Sequence, residues 1–189
     1  MKLIVQELLI NSAQTIHAIA EKNTKQIVAI SKAIIEAYKN DKKVLIFGNG
    51  GSASDAQHMA AELVGRFKKE RKAYPAIALT TNTSTLTALA NDYSYEYVFE
   101  RQIDAFAAKG DIVIGISTSG QAKNVISGLK KAKAKGAFTI GLTGERGINL
   151  KKITDICLMV PSDDTARIQE SHITIIHIIC KLVEDALSK

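Results

Sequence analysis

No tryptophan occurs in this sequence, and phenylalanine and tyrosine supply only five residues each. Platforms for single-stranded nucleic acid are built from aromatic rings, so that function has little to stand on here. Cysteine is nearly absent too. Cys157 and Cys180 lie in separate apolar runs, with no CxxC metal pair and no basis for a disulfide framework. They read as buried free thiols of a reducing compartment. No apolar run approaches the ~18 residues needed to cross a bilayer, and the N-terminus lacks the charged, apolar, small-residue order of a secretion signal. The expectation is a cytoplasmic protein with neither a membrane nor a nucleic acid as partner. Charge has no strong bias either: the net value is +6, and the basic residues are spread through Lys68, Lys69, Arg71 and Lys72 and through Lys130, Lys131, Lys133 and Lys135 rather than forming a tail. They read as solvated helix faces that also attract an anionic substrate.

What the chain does have is length and apolar content. Its 189 residues are 46% hydrophobic and 23% charged, enough for one full core, and one domain is the default. The stretch that stands out is GNGGSASDAQHMAAELVGR, Gly48 to Arg66, after the apolar run Val44 to Phe47. The apolar run reads as a buried strand, the glycines as a turn, and the Ala, Met and Leu content beyond Ser52 as a helix. Glycines admit a ligand close to the backbone, and the unpaired N–H groups of a helix start suit an anion such as phosphate. The stretch matches neither GxGxxG nor the GK[ST] ending of a P-loop. Farther along the same helix, His58 and Glu62 are four residues apart and share a face. By spacing alone that pair serves equally as a solvated surface pair.

Two amphipathic patterns occupy the first 40 residues, with Asn23 and Thr24 as a cap between them. They have only each other, the core or another subunit to bury against, which suggests an oligomer. Beyond them, candidate strands at Val44 to Phe47, Ala76 to Leu79, Ile112 to Ile116, Phe138 to Leu142 and Ile156 to Val160 alternate with helical stretches. The helices read as Ala53 to Phe67, Thr85 to Ala90 with Tyr95 to Ala108, Ala122 to Lys135, a short one near Asn149, and a long one after Pro161. This alternation predicts a doubly wound α/β fold, a five-stranded parallel sheet of flavodoxin-like type preceded by N-terminal helices, with ligands at the carboxyl ends of the strands. After the third strand come Ser117, Thr118, Ser119 and Gly120. One helix cap uses one hydroxyl, so three of them favour a phosphate site over a cap. Asn91 and Asp92 end a helical piece and suit sugar hydroxyls or simple turn chemistry. The last helix is apolar nearly all round, apart from a polar stripe at Thr174, His177, Lys181, Glu184 and Ser188. Periodicity alone makes His177 a solvated histidine on that stripe, and Gln169 and His172 share the ambiguity.

Taken together, GNGGSASDAQHMAAEL, the NDY after the middle helix, ISTSG and TARIQESHITIIHII resemble the bacterial phosphoheptose isomerases. In that family one sugar-isomerase (SIS) domain is preceded by helices. The resemblance covers essentially the whole chain and implies one SIS domain over 1–189, with residues 1–40 packed on the core or on neighbouring subunits. It implies conversion of sedoheptulose 7-phosphate into D-glycero-D-manno-heptose 7-phosphate, toward nucleotide-activated heptoses of surface polysaccharide, by a homotetramer with sites at subunit interfaces. It assigns Glu62 as catalytic base and His177 as acid/base partner. Ser52, Ser117, Thr118 and Ser119 fall at the phosphate, and Asn49, Gly50, Gly51, Asn91, Asp92 and Gln169 at the sugar, with Glu62 also touching substrate. No organic cofactor is implied. Some members carry zinc at the positions of His58, Glu62, Gln169 and His177. Two departures stand out: Ala122 replaces a serine common after STSG, and Ala166 replaces an aspartate often found before RIQE. The fold also serves regulators that bind a phosphosugar without turning it over, and a replication-initiator-associating scaffold. That scaffold lacks the Glu62 carboxylate and has asparagine at the position of His177.

Overall fold

The protein is described by a computed structural model covering residues 1–188. In chain order it contains α1 (Lys2–Lys22), α2 (Thr24–Lys39), β1 (Val44–Gly48), α3 (Gly51–Val64), β2 (Ala76–Ala78), α4 (Thr83–Asp92), a 3₁₀ turn (Tyr95–Tyr97), α5 (Val98–Phe106), β3 (Ile112–Ser117), α6 (Lys123–Ala134), β4 (Phe138–Gly144), α7 (Ile148–Ile153), β5 (Ile156–Val160) and α8 (Thr165–Leu187). All strand pairs are parallel, in the order β2-β1-β3-β4-β5. The flavodoxin-like expectation therefore holds. In this order the crossovers diverge between β1 and β3, and the crevice beyond those two strand ends is where such sheets bind ligands.

The side-chain period of two along β1 decides which helices cover which face. Val44 and Ile46 join a core with Ile30 and Ile34 of α2, Met59 and Leu63 of α3 and Ile175 and Ile179 of α8. Leu45 and Phe47 point the other way, to Phe99 and Ile103 of α5 and Leu129 of α6. Phe47 stacks on Phe99 with ring centroids 4.8 Å apart. Strands buried on both faces explain why β1 and β3 read as unbroken apolar runs rather than as alternating ones. Among the described residues no helix is long and apolar enough to cross a membrane.

Several boundaries differ from the sequence expectation. β1, β3 and β4 run on to Gly48, Ser117 and Gly144, because Gly48 still pairs with Ile116 and Ser117 with Thr143. α3 starts at Gly51 rather than Ala53 and stops at Val64 rather than Phe67. α6 starts at Lys123, since Ser119 to Gln121 form a turn first. The expected cap between α1 and α2 is absent: Asn23 sits in helical geometry with no capping bond. Its side chain is buried and donates to the Met159 carbonyl at 3.2 Å, while Thr24 bonds back to the Ala20 carbonyl. Asp164 is a true cap of α8, accepting from the N–H groups of Ala166 and Arg167.

His172, one of the ambiguous polar positions on α8, is a core residue with no exposed surface. One ring nitrogen, Nε2, lies 3.4 Å from the Thr143 carbonyl and the other has no partner, which describes a neutral imidazole. Burial drives its pKa from 6.5 down to about 4. The unfolded chain therefore binds this proton more readily, and the stability His172 contributes is complete above pH 6.5 and lost as pH falls toward 4. Asp55, raised to about 6, acts with the opposite sign over part of that window, so the comparison has to be with a variant. Urea unfolding at fixed protein concentration is expected to show a loss between pH 7 and pH 5 that exceeds that of His172→Asn by about 2 kcal/mol. Parallel pH dependences in the two proteins would contradict a buried neutral imidazole.

Candidate active site

β1 ends at Gly48 and β3 at Ser117, side by side at the switch point, and each runs into a polar turn. Between them and the start of α8 lies a cavity of about 200 Å³. Asn49 and Ser52 line it from the first turn, Ser117, Thr118 and Ser119 from the second, and Gln169 from α8. Ser119 Oγ accepts from the Gln121 N–H, closing the turn, while α6 is capped by Ala122 with no side-chain bond. Helix capping therefore leaves the Ser117 and Thr118 hydroxyls unused. Gly120 has φ +65°, and a Cβ there would stand 2.4 Å from the Gly147 backbone, so the turn that presents these hydroxyls requires glycine.

At the first turn the N–H groups of Ser52 and Ala53 return to the carbonyls of Asn49 and Gly50. Among the described residues, those of Gly50 and Gly51 have no partner and mark the positive end of α3. Among the described residues no lysine or arginine lines the cavity. An anion there would be held by hydroxyls, amides and a helix dipole. Ala122 does line it, so the serine common in the resembling family would have added a hydroxyl at this point. Ala166 lies exposed in the first turn of α8.

From this cavity α3 and α8 run side by side. Gly51, Asp55, His58 and Glu62 follow at spacings of four, three and four, one stripe of α3, while Ala56, Met59, Ala60 and Leu63 bury in the core. The stripe meets α8 at both ends. At the start, Gly51 packs so tightly on Gln169 that a Cβ would stand 2.4 Å from the glutamine Nε2. Farther on, His177 Nε2 lies 3.3 Å from His58 Nε2, and His58 Nε2 lies 3.1 Å from Glu62 Oε1. Ligand atoms of His58, Glu62 and His177 all fall within 4.8 Å of one another, which suits a cation or a shared proton. His177 is half-buried rather than merely solvated, with the Phe67 ring 5.7 Å from its own.

The structure does not join all the predicted site residues. Gln169 stands eight residues before His177, about 12 Å along α8, where it lines the cavity and packs on Gly51. Asn49 has its amide engaged: it exchanges two 2.9 Å hydrogen bonds with Asn124 and accepts from Tyr95 Oη at 3.1 Å. Asn91 and Asp92 are exposed and bonded to each other, with no contact to the cavity among the described residues. Four neighbours of the site escaped the sequence reading. Asn124 and Tyr95 carry no local signal, since their partner lies 75 and 46 residues away respectively. Asp55 was visible inside the first motif: one of its oxygens is buried without a partner, and burial raises its pKa to about 6 against the pull of nearby His58. Phe67 was read as the end of that helix, whereas the helix stops at Val64 and Phe67 turns to His177. Two readings are corrected as well. Arg71, read as part of a solvated basic run, is buried, and so is Glu184, read as part of the polar stripe; they bond to each other at 3.2 Å.

An α/β sheet with free hydroxyls and N–H groups at its switch point, and a carboxylate with two imidazoles two helical turns away, is an arrangement suited to a phosphosugar isomerase. The comparisons agree. The sequence matches the SIS domain family over residues 9–144. It is 55% identical to a phosphoheptose isomerase of Aquifex aeolicus over 96% of this chain and 95% of that protein. The fold superposes on phosphoheptose isomerase GmhA of Neisseria gonorrhoeae with a TM-score of 0.93 at 38% identity, covering 97% of this chain and 98% of that one. For a phosphoheptose isomerase from Francisella tularensis the TM-score is 0.94 at 35% identity, covering 98% and 99%. The chain belongs to the phosphoheptose isomerase family of SIS-domain enzymes.

Gly51 offers a direct probe of the cradle. In Gly51→Ala the new methyl has to displace the flexible Gln169 side chain rather than backbone. Calorimetry with a sugar phosphate is expected to show about a tenfold loss of affinity, the cost of one charge-assisted contact, with little change in unfolding midpoint. Unchanged affinity would mean that Gln169 and the start of α3 do not touch the ligand.

Proposed function

We propose that this enzyme converts sedoheptulose 7-phosphate into D-glycero-D-manno-heptose 7-phosphate, in heptose synthesis for surface polysaccharide. The observation that carries this reading is the spacing along α8, about 12 Å of helix from Gln169 at the cavity to His177 in the cluster with His58 and Glu62. A seven-carbon sugar with its phosphate in the cavity reaches the cluster with C1 and C2, while a triose phosphate falls short. One SIS domain spanning 1–189 fits this use, since residues from both ends of the fold meet at the site.

In this reading Glu62 removes a proton from C1 of the ketose and returns it to C2, passing through an enediol. His177 moves the oxygen proton from the C1 hydroxyl to the former C2 carbonyl, so atoms and charge balance without an organic cofactor. Ser52, Ser117, Thr118 and Ser119, with the N–H groups of Gly50 and Gly51, hold the phosphate. That grip turns a diffusing chain into an aligned one. Gln169 holds the sugar beside them, and Asn49 contributes its backbone while its amide stays on Asn124. Asn91 and Asp92 meet the sugar only if a neighbouring subunit or a ligand draws them in.

His58, Glu62 and His177 also form a donor set of two imidazoles and a carboxylate, the kind that holds a catalytic zinc with one position open. Bound there, zinc would polarise the substrate carbonyl. Gln169, on the same helix as His177 and in contact with the start of α3, is the proposed fourth ligand. Assembly into a homotetramer is supported by α1, whose first half exposes Leu3, Ile4, Leu8 and Leu9. Arg167 and Glu170 of α8 bond to that half at the Leu8 carbonyl and at Ser12, which ties any such contact to the site helix. Work in the cytoplasm is supported by Cys157 and Cys180, both free.

Incubation with sedoheptulose 7-phosphate, followed by NMR, is expected to yield aldose signals, and Glu62→Gln and His177→Asn to slow their appearance at least ~10²-fold while leaving the fold intact. No aldose from the wild type, or near-normal rates from either variant, would overturn the reading. Metal analysis of the same sample before and after chelator decides the zinc: full activity without metal would leave the protons to Glu62 and His177 alone. Light scattering is expected to give the mass of four chains, and a monomeric mass would exclude the tetramer.

A further inference from the structure

We infer that Arg71 and Glu184 are positioning residues that hold Glu62 and His177 in register, an inference that rests on the proposed isomerisation. The segment after α3, residues 65–74, has no helix or strand of its own. Glu184 gathers it: its carboxylate accepts from the N–H groups of Phe67, Lys68 and Lys69 at 2.9, 2.8 and 3.0 Å, and from Arg71 Nε at 3.2 Å. Burial alone would raise the pKa of this carboxyl, but the three N–H groups and the Arg71 charge hold it below the usual range. Arg71 then turns back on α3. Its Nη2 donates to the Glu62 carbonyl at 2.7 Å, and its Nη1 to the carbonyls of Leu63, Gly65 and Lys72. The carbonyls of Glu62, Leu63 and Gly65 belong to the end of α3, where helix carbonyls lack partners within the helix.

The bonds close a circuit through the site. Glu62 stands at the end of α3, and its backbone is tied through Arg71 to Glu184. Glu184 lies seven residues, two turns, beyond His177 on the same side of α8. His177 meets His58, which returns to Glu62 along α3. The captured segment also lays Phe67 against the His177 ring. The side chains of Arg71 and Glu184 are 4% and 1% exposed. Buried pairs of this kind often add little net stability compared with apolar residues of the same volume, so their distinctive product is geometry. The neighbouring bridge from Lys69 to Asp185 is half-exposed and contributes little to that geometry.

Glu184→Gln keeps the shape and removes the charge and one acceptor. Its turnover number for sedoheptulose 7-phosphate is expected to fall at least tenfold with KM within twofold, because the phosphate cradle lies at the far end of the helices. The ring signals of His58 and His177 in NMR are expected to move with it, while Asp185→Asn changes neither. A folded Glu184→Gln with normal turnover and unmoved histidine signals would overturn the inference. If Glu184→Gln does not fold, Phe67→Leu takes its place: a shifted His177 signal with reduced turnover supports the circuit, and unchanged values refute it. Should the wild type fail to isomerise the sugar, the failure belongs to the proposed reaction, and the histidine signals still read the positioning.

Discussion

Everything in this molecule that bears on chemistry depends on how closely α3 packs along α8. At one end a glycine, Gly51, lets the Gln169 amide lie directly on the helix start. At the other, two imidazoles approach to 3.3 Å. One face of each helix is spent on the core, through Met59 and Leu63 on α3 and Ile175, Ile176 and Ile179 on α8. This fixes the helices to the sheet and to each other, so the remaining stripes meet as rigid surfaces rather than as mobile loops. In the proposed reaction, binding at one end and proton transfer at the other are thereby set a fixed distance apart by backbone geometry.

The parallel sheet explains why such a face ends at a polar cavity. β1 and β3 are neighbours whose crossovers leave in opposite directions, so their carboxyl ends stand open, and both are followed by turns rich in free donors. With no basic side chain among the described residues lining the cavity, the proposed phosphate would be held by hydroxyls, amide N–H groups and the α3 dipole. These groups are neutral and rigidly placed, and they carry no charge that has to be desolvated when the ligand is absent. The net positive charge of the chain attracts a sugar phosphate without taking part in the grip.

Most of the fold was legible in the sequence because its signals are local. Apolar runs of four or five residues, each followed by Gly, Ser or Thr turns, mark all five strands, and the parallel flavodoxin-like order follows from their alternation with helices. The anion cradle was legible for the same reason: its residues are contiguous in GNGGS and STSG. The His58–Glu62 pair was visible as a spacing, but its third member, His177, lies 119 residues away, and periodicity put it on a solvated stripe. Long-range polar pairs were the systematic blind spot. Arg71 in a basic run and Glu184 on a polar stripe both look solvated, and only tertiary contact across 113 residues shows that each neutralises the other. The bond from the Asn49 amide to Asn124, which the resemblance gave no hint of, is another such pair, across 75 residues.

The account's central claim is that one face, formed by α3 and α8, holds phosphate at its start and reacting carbons two turns on. A crystal structure of Glu62→Gln soaked with sedoheptulose 7-phosphate tests it most directly, since slowed turnover keeps the substrate intact. The phosphate should lie among Ser117, Thr118, Ser119 and the N–H groups of Gly50 and Gly51, with C1 and C2 beside residue 62 and His177. A phosphate bound elsewhere, or a sugar chain running away from His177, would contradict the account.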